Sequence, residues 1–351
     1  MQVRRNARLA ELTTLGVGGP IDRLVEVTDA DELVAAVRDA DAGGRPLLVL
    51  GGGSNLIAPD GGWPGDVVVV RSRGVERDGG RLVVQAGEPW DDLVAYTVEQ
   101  RLAGMEAMSG IPGSTGATPV QNVGAYGQEV GQVVTAVRVW DRARSAEQVL
   151  AAADCGFAYR DSRLKREPGR FVVLTVSFEL EPGELSRPVG YAELARTLGV
   201  ELGERAPLAD VRAAVLELRR SKGMVWDLAD PTSRSAGSFF TNPVVPVRQA
   251  VEGCPSWPAG DGTVKLSAAW LVQHAGFGRG TRHGRVGTSP RHSLALTTEP
   301  GATAEELLAF SEKIIAAVQE RFGVTMEREP TTITPSPCRA TPRPAAVPDR
   351  R

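Results

Sequence analysis

A chain of 351 residues has the length for two or three domains, each with a substantial core. Its hydrophobic content of 42% and charged content of 24% are ordinary for a soluble globular protein, and a net charge of −3 supplies no basic field for nucleic acid or an anionic membrane. The longest apolar runs, such as VVVV at 67–70, fall far short of a membrane span, and nothing after the RR pair at 4–5 is apolar enough for an export signal, so a cytoplasmic chain without membrane insertion is expected.

In chain order, residues 22–50 read as strand, helix and strand. Val25 and Val27 alternate, Leu33, Val34 and Val37 mark one helix face, and Leu47 to Leu50 form a short buried strand. Asp29 is placed to cap that helix, with Glu32 as its capping-box partner. LGGGSNLI at 50–57 turns the chain. DVVVVRS and RLVVQAGEP predict two more strands, followed by a helix over about residues 90–102. A long neutral stretch follows at 110–129, GIPGSTGATPVQNVGAYGQE, rich in glycine and carrying a single charge. VVTAVRVWD and RFVVLTVSFEL alternate as strands. APLADVRAAVLELRRSKG predicts a helix, with Pro207 near its start and Gly223 beyond its end. From about residue 223 a new unit opens with a loop rich in Ser and Gly. It continues through a helix at 267–275, the apolar strand SLALTT, and the long amphipathic helix TAEELLAFSEKIIAAVQERFG. The end, residues 330–351, is dense in Pro, Thr and Arg without periodicity and predicts a disordered tail. No internal repeat is present, and separable blocks of strands and helices predict an α+β protein of several domains.

The two neutral glycine loops, 50–57 and 110–129, carry the first functional signal. Consecutive backbone N–H groups form an anion-binding concavity, and missing Cβ atoms let a phosphate approach. Ser54, Asn55 and Ser114 add donors. A nucleotide-type ligand between the loops is the expectation; the plainer alternative is two long turns punctuating strands. GVGGP at 16–20 and GFGRG at 276–280 both miss the G-x-G-x-x-G spacing, and there is no Walker A sequence. Cys155, Cys254 and Cys338 are scattered, and His274, His283 and His292 lie nine apart, so neither set has ligand spacing and no metal is expected.

TTLGVGGP, LGGGSNLI, GIPGSTGATPVQNVGAYGQE, YRDS, GSFFTNP and KLSAAWLVQHAGF, in that order from about residue 12 to 329, resemble the UDP-N-acetylenolpyruvoylglucosamine reductase family. GYAEL at 190–194 resembles its longer subtype, in which a tyrosine loop covers the substrate. The resemblance implies an α+β fold with an FAD-binding domain of the vanillyl-alcohol-oxidase (PCMH) type over about 16–184, built as two subdomains at 1–71 and 72–222, with a smaller α+β substrate domain at 223–329. It also implies a monomer that passes hydride from NADPH through flavin N5 to UDP-N-acetylglucosamine enolpyruvate, making UDP-N-acetylmuramate for peptidoglycan.

Matched by motif, Gly51, Gly52, Gly53, Ser54 and Asn55 resemble the pyrophosphate loop. Ile111, Gly113, Ser114, Gly116, Ala117, Gln121, Asn122, Gly124, Ala125 and Tyr126 resemble the flavin-contacting segment. Arg160 in AYRDS resembles the residue facing the substrate carboxylate, a task that suits an always-charged fork. Ser238 in AGSFFTNP resembles the proton donor, and Glu329 the carboxylate near the enolate, with Glu327 a second acidic choice for that position. Tyr191, Lys222, Asn242 and Lys265 resemble positions that hold the UDP diphosphate. One departure follows Glu329: the family continues with an apolar strand, whereas here Pro330 and TTITPSP leave room only for a short or edge strand. Covalent flavin needs a His, Cys or Tyr at the ring. No histidine lies in 1–273 and neither Cys155 nor Cys254 is in a flavin loop, so noncovalent FAD is expected, with Tyr126 the formal alternative. Two rivals stand beside the reductase. One is an FAD oxidase of the same fold acting on another alcohol or sugar, against which YRDS and GSFFTNP argue; the other is a nucleotide-binding module without turnover.

Overall fold

The computed structural model describes residues 1–335. The first sheet has four strands, in the order Gln2–Arg4, Ile21–Val27, Trp63–Val70 and Leu47–Leu50. The last three run parallel, with Leu24 and Leu48 both in register with Val67. Trp63–Val70 is central and buried on both faces, which is why it reads as a continuous VVVV rather than an alternation. Helix Ala30–Ala42 lays Leu33, Ala36 and Val37 on one face of this sheet; Leu9, Leu50, Trp63 and Val69 belong to a core on the other. Asp29 caps the helix by accepting from Glu32 N at 2.8 Å, but Glu32 returns to Thr28 N rather than to Asp29, so the expected capping box closes one residue early.

The second sheet is antiparallel, in the order Ala146–Ala151, Val134–Asp141, Phe171–Glu179, Arg81–Gln85 and Val75–Asp78. Its inner side chains Trp140, Val172 and Leu174 join Val25, Val37 and Val68 of the first unit in one core, so the two sheets are packed together. Its other face holds helix Trp90–Glu99 through Trp90, Leu93 and Val94. That helix stops before the expected residue 102 because Arg101 turns left-handed (φ 57°) and Leu102–Ala103 pairs with Glu181–Pro182. Helices Ala192–Leu198 and Leu208–Ser221 form a small separate core against Ala107 and Val189, with half-buried Tyr126 packed on it.

The third unit packs helices Ala268–His274 and Ala304–Phe322 with two three-stranded sheets around Phe239, Phe240, Leu271, Phe310 and Ile314. The expected strand SLALTT is reduced to Leu296–Thr298. Leu15, Val17 and Ile57 of the first unit enter this core. Asp60 takes two N–H groups of the long helix, Ala304 N at 2.8 Å and Glu305 N at 3.0 Å, beside the helix's own Thr303–Glu306 capping box. Thr14 Oγ1 donates to Ser235 O at 2.7 Å and Thr298 Oγ1 to Leu15 O.

Residues 330–335 correct an expectation. Thr331–Thr332 pairs in parallel with Leu56–Ile57, the short strand for which the sequence left room, so a disordered tail does not begin at residue 330. Thr331 N donates to Asn55 O and Ile333 N to Ile57 O. Parity explains how prolines are tolerated: only odd-numbered N–H groups face the partner, so Pro330 removes nothing, whereas Pro335 falls on the donating side. Residues 336–351, the rest of that predicted tail, lie outside the described residues.

Candidate active site

The two glycine loops meet. Gly113 O accepts from Trp90 N, and Gly116 N donates to Ala86 O, which fixes the second loop to the start of helix Trp90–Glu99 and the end of strand Arg81–Gln85. Ser54 Oγ donates to Pro112 O at 2.9 Å, and Asn55 Nδ2 to Gln121 Oε1 at 2.6 Å. A Cβ on Gly51 would lie 2.1 Å from Ser114 Oγ, and one on Gly52 2.6 Å from Gly113 Cα. One on Gly53 would lie 1.8 Å from Leu12 O, on a residue already at φ +61°. These glycines are therefore required for close packing as well, Gly52 and Gly53 against backbone and Gly51 against the Ser114 side chain. What faces a ligand is the donors. The N–H groups of residues 51–55, Gly113 and Ser114 have no backbone acceptor among the described residues, and a left-handed Gly53 in their midst suits an anion with several oxygens.

Asn122, expected in the flavin-contacting segment, has its side chain bonded within the protein. Its Nδ2 donates to Glu129 Oε2 and Ala158 O, and its Oδ1 accepts from Gly131 N, so the side chain braces the loop and only its backbone is left for a cofactor. Tyr126, at φ 47°, stands edge-on to Tyr191 with centroids 5.3 Å apart, and burial pushes its phenol up to about 12.

Arg160 sits at φ 55° in a tight turn closed by reciprocal Ala158–Asp161 backbone bonds. Its Nη2 donates to Gly124 O at 2.8 Å. Its Nε lies 2.8 Å from Glu329 Oε1 without N–H alignment, so the contact is an ion pair rather than a directed hydrogen bond. Glu329 N donates to Phe239 O, and Phe239 N to Leu294 O, so the residue next to Ser238 is held between these two segments. Half-buried Ser238 itself bridges Ala295. Glu327 is exposed, whereas Glu329 is the acid that meets Arg160. Burial raises the Glu329 pKa above the usual glutamate value, partly offset by the positive charges of Arg160 and Lys165.

The four diphosphate positions fall in two places. Tyr191 and Lys222 gather at Tyr126, with Lys222 Nζ 5.6 Å from its ring centre. Lys265 Nζ lies 4.0 Å above the ring of Tyr159, beside Arg160. Asn242 Oδ1 accepts from Ala268 N at the start of a helix, which leaves its Nδ2 for a ligand. Tyr159, Arg160, Lys165 and Asn242 line a cavity of about 620 Å³. Sequence reasoning missed Tyr159, Glu193 and His292. His292 is pushed down to about 4 by burial and then by the charge of Lys222, with Arg279 adding to it and Glu193 opposing. Its neighbours are remote in sequence, so no spacing signalled it. Tyr159 was legible in principle as the residue before Arg160. Among the described residues, no group of three His, Cys, Asp or Glu is placed to hold a metal, and no helix is long and apolar enough to cross a membrane.

The FAD binding domain family matches residues 21–146, which contain both glycine loops. With those loops joined across two packed α+β units, the chain is an FAD-dependent oxidoreductase of α+β architecture, and the unpaired N–H groups fit a pyrophosphate. A second family, "UDP-N-acetylenolpyruvoylglucosamine reductase, C-terminal domain", matches residues 230–333, containing Ser238 and Glu329. A UDP-N-acetylenolpyruvoylglucosamine reductase of Thermobifida fusca is 53% identical over 325 residues, 88% of this chain and 91% of the relative. One of Streptomyces coelicolor is 52% identical over 326 residues, 89% of this chain and 85% of the relative. The crystal structure of the Thermus caldophilus reductase aligns at TM-score 0.67 and 26% identity, covering 95% of this chain and 99% of that one. The chain belongs to the UDP-N-acetylenolpyruvoylglucosamine reductase family.

Proposed function

We propose that the chain reduces UDP-N-acetylglucosamine enolpyruvate to UDP-N-acetylmuramate in peptidoglycan synthesis, with NADPH as reductant and Ser238 as proton donor. The observation that carries the reading is the Arg160–Glu329 ion pair, held one backbone bond from the Ser238 segment and beside the second glycine loop. Noncovalent FAD, when bound, supplies hydride to the enolpyruvyl group. The N–H groups of residues 51–55, which have no backbone acceptor among the described residues, would hold its pyrophosphate.

Hydride addition leaves negative charge that spreads into the substrate carboxylate. Arg160 meets that charge with a preorganised guanidinium, anchored through Nη2 on Gly124 O. Ser238 donates the proton to the neighbouring carbon. A serine hydroxyl is a weak acid, so it acts only where the resulting charge is stabilised and the proton is replaced. Glu329, whose pKa burial raises above the usual glutamate value, is bonded through its backbone N–H to the same segment and is placed to join that exchange. Tyr191, Lys222, Asn242 and Lys265 hold the diphosphate from two sides of the cleft.

The test separates two half-reactions in Ser238→Ala. Bleaching of flavin absorbance by NADPH involves no proton at the substrate carbon and stays close to the unmodified rate. Recovery on adding the enolpyruvyl substrate slows by at least ~10²-fold, the low end for losing a positioned acid. Equal slowing of both steps would make Ser238 structural, and unmodified rates in both would remove it from the mechanism. Unmodified protein that neither bleached with NADPH nor recovered with this substrate would sink the functional reading.

A further inference from the structure

Lys222 is assigned above to the diphosphate, yet its charge already has a partner. Its Nζ lies 2.5 Å from Glu193 Oε2. Both ends of this pair are restrained. Lys222 is the C-cap of helix Leu208–Ser221, while Glu193 lies in the first turn of helix Ala192–Leu198, directly after Tyr191. Tyr191 packs edge-on against Tyr126, the ring that the Lys222 ammonium also faces. Beside them, His292 feels Lys222 and Arg279 as positive neighbours and Glu193 as the one negative neighbour, and its imidazole is neutral at physiological pH. Glu193 is thus the carboxylate that answers the positive charge gathered here.

To an ammonium, a carboxylate and a phosphate offer the same thing: oxygens carrying negative charge. A part-buried ammonium left without either would be costly. The packing of helix Ala192–Leu198 is carried by Leu194 and Ala195, so the fold does not need an acid at residue 193 to seat that helix. We propose that Glu193 is a positioning residue and an internal competitor: it stands on Lys222 where a ligand phosphate would stand, holds the ammonium over Tyr126, and gives it up when a diphosphate binds. The inference rests on the reading of Lys222 as a diphosphate ligand. Two consequences follow from the competition. Loss of the carboxylate tightens diphosphate binding, and the gain disappears when Lys222 is absent.

The experiment is calorimetric titration of the FAD-loaded protein with UDP, and separately with inorganic pyrophosphate. Four forms are compared: unmodified, Glu193→Gln, Lys222→Met and the double variant, each checked for bound FAD and melting midpoint. Glu193→Gln is expected to bind UDP roughly tenfold more tightly, the scale of one lost charge contact in a part-buried site. Lys222→Met binds more weakly, and adding Glu193→Gln to it leaves Kd within about twofold, since the interaction it relieves is gone. Equal or weaker binding by Glu193→Gln, or the same gain without Lys222, would overturn the proposal while UDP binding by the unmodified protein kept the functional reading intact. Unmodified protein that bound neither UDP nor pyrophosphate would overturn both.

Discussion

Arg160 and Glu329 are each unusual alone and intelligible together. A non-glycine residue at φ 55° is sparsely populated and persists only where its surroundings over-determine it; here the Ala158–Asp161 turn and the bond to Gly124 O do so. The buried carboxylate it faces titrates above the ordinary glutamate value because desolvation outweighs the guanidinium. The sign of the stability effect follows. Below the unfolded value both states hold the proton and the group contributes in full. As pH rises through the folded value, the unfolded chain has already ionised and that contribution is lost. Glu329→Gln has no proton to lose, although it leaves Arg160 with a pH-independent deficit. The melting midpoint of the variant, relative to the unmodified protein, is expected to climb as pH rises above the ordinary glutamate value of about 4.3 and through the higher folded value. A difference that stayed flat or fell would mean that the carboxylate is ionised in the fold throughout, with Arg160 dominating its field.

Among elements, the meeting of loops 51–55 and 110–117 is where sequence and structure diverge most usefully. Gly52→Ala would place a methyl 2.6 Å from Gly113 Cα, backbone that cannot swing aside, so the loops must part. Overpacking of this kind costs on the order of 1–3 kcal/mol, enough to weaken FAD binding at least ~10-fold while both sheets stay folded. Gly61→Ala, with nothing within 4 Å of the added atom, is the control that keeps normal FAD. Bound FAD per chain after gel filtration reads the difference, and equal retention would mean that the loops can separate without harm to the site. The elements themselves were legible because apolar periodicity reports burial directly: Leu33 and Val37 on a helix face, VVVV in a strand buried on both sides. Less legible was anything set by a partner remote in the chain. The loop glycines were recognised, but not that their neighbours are each other. Asn122 looked like a cofactor contact because its three protein partners are spread over separate segments. A short strand after Glu329 was legible, but not that it would be Thr331–Thr332 on Leu56–Ile57, because the parity of the prolines, not their number, decides pairing. The three proposed catalytic residues came from motif resemblance, and no periodicity would have pointed to them.

On the scale of the whole molecule, the cofactor groove is a seam. Loop 51–55 leaves the first sheet and loop 110–117 is tied to the second, while the third unit is fastened to the first through Asp60, Thr14 and Thr298. A ligand whose pyrophosphate engages both loops binds only when the two α+β units are docked, and the unfolded chain offers it nothing equivalent. Linkage then makes the fold's stability a function of free FAD: about 2.7 kcal/mol at a concentration 100 times Kd, and a further ~1.4 kcal/mol for each tenfold excess. Protein stripped of FAD is expected to melt several degrees lower in scanning calorimetry, and its midpoint should rise with the logarithm of added FAD. Because Trp140, Val172 and Leu174 share one core with Val25 and Val68, the flavin domain should melt with or without FAD as a single transition rather than as two separating halves. A midpoint indifferent to FAD would place the cofactor away from the seam. A stripped protein that melted in two steps, fused into one by FAD, would show instead that the apolar core between the sheets is too weak to couple them and that the cofactor itself is the joint.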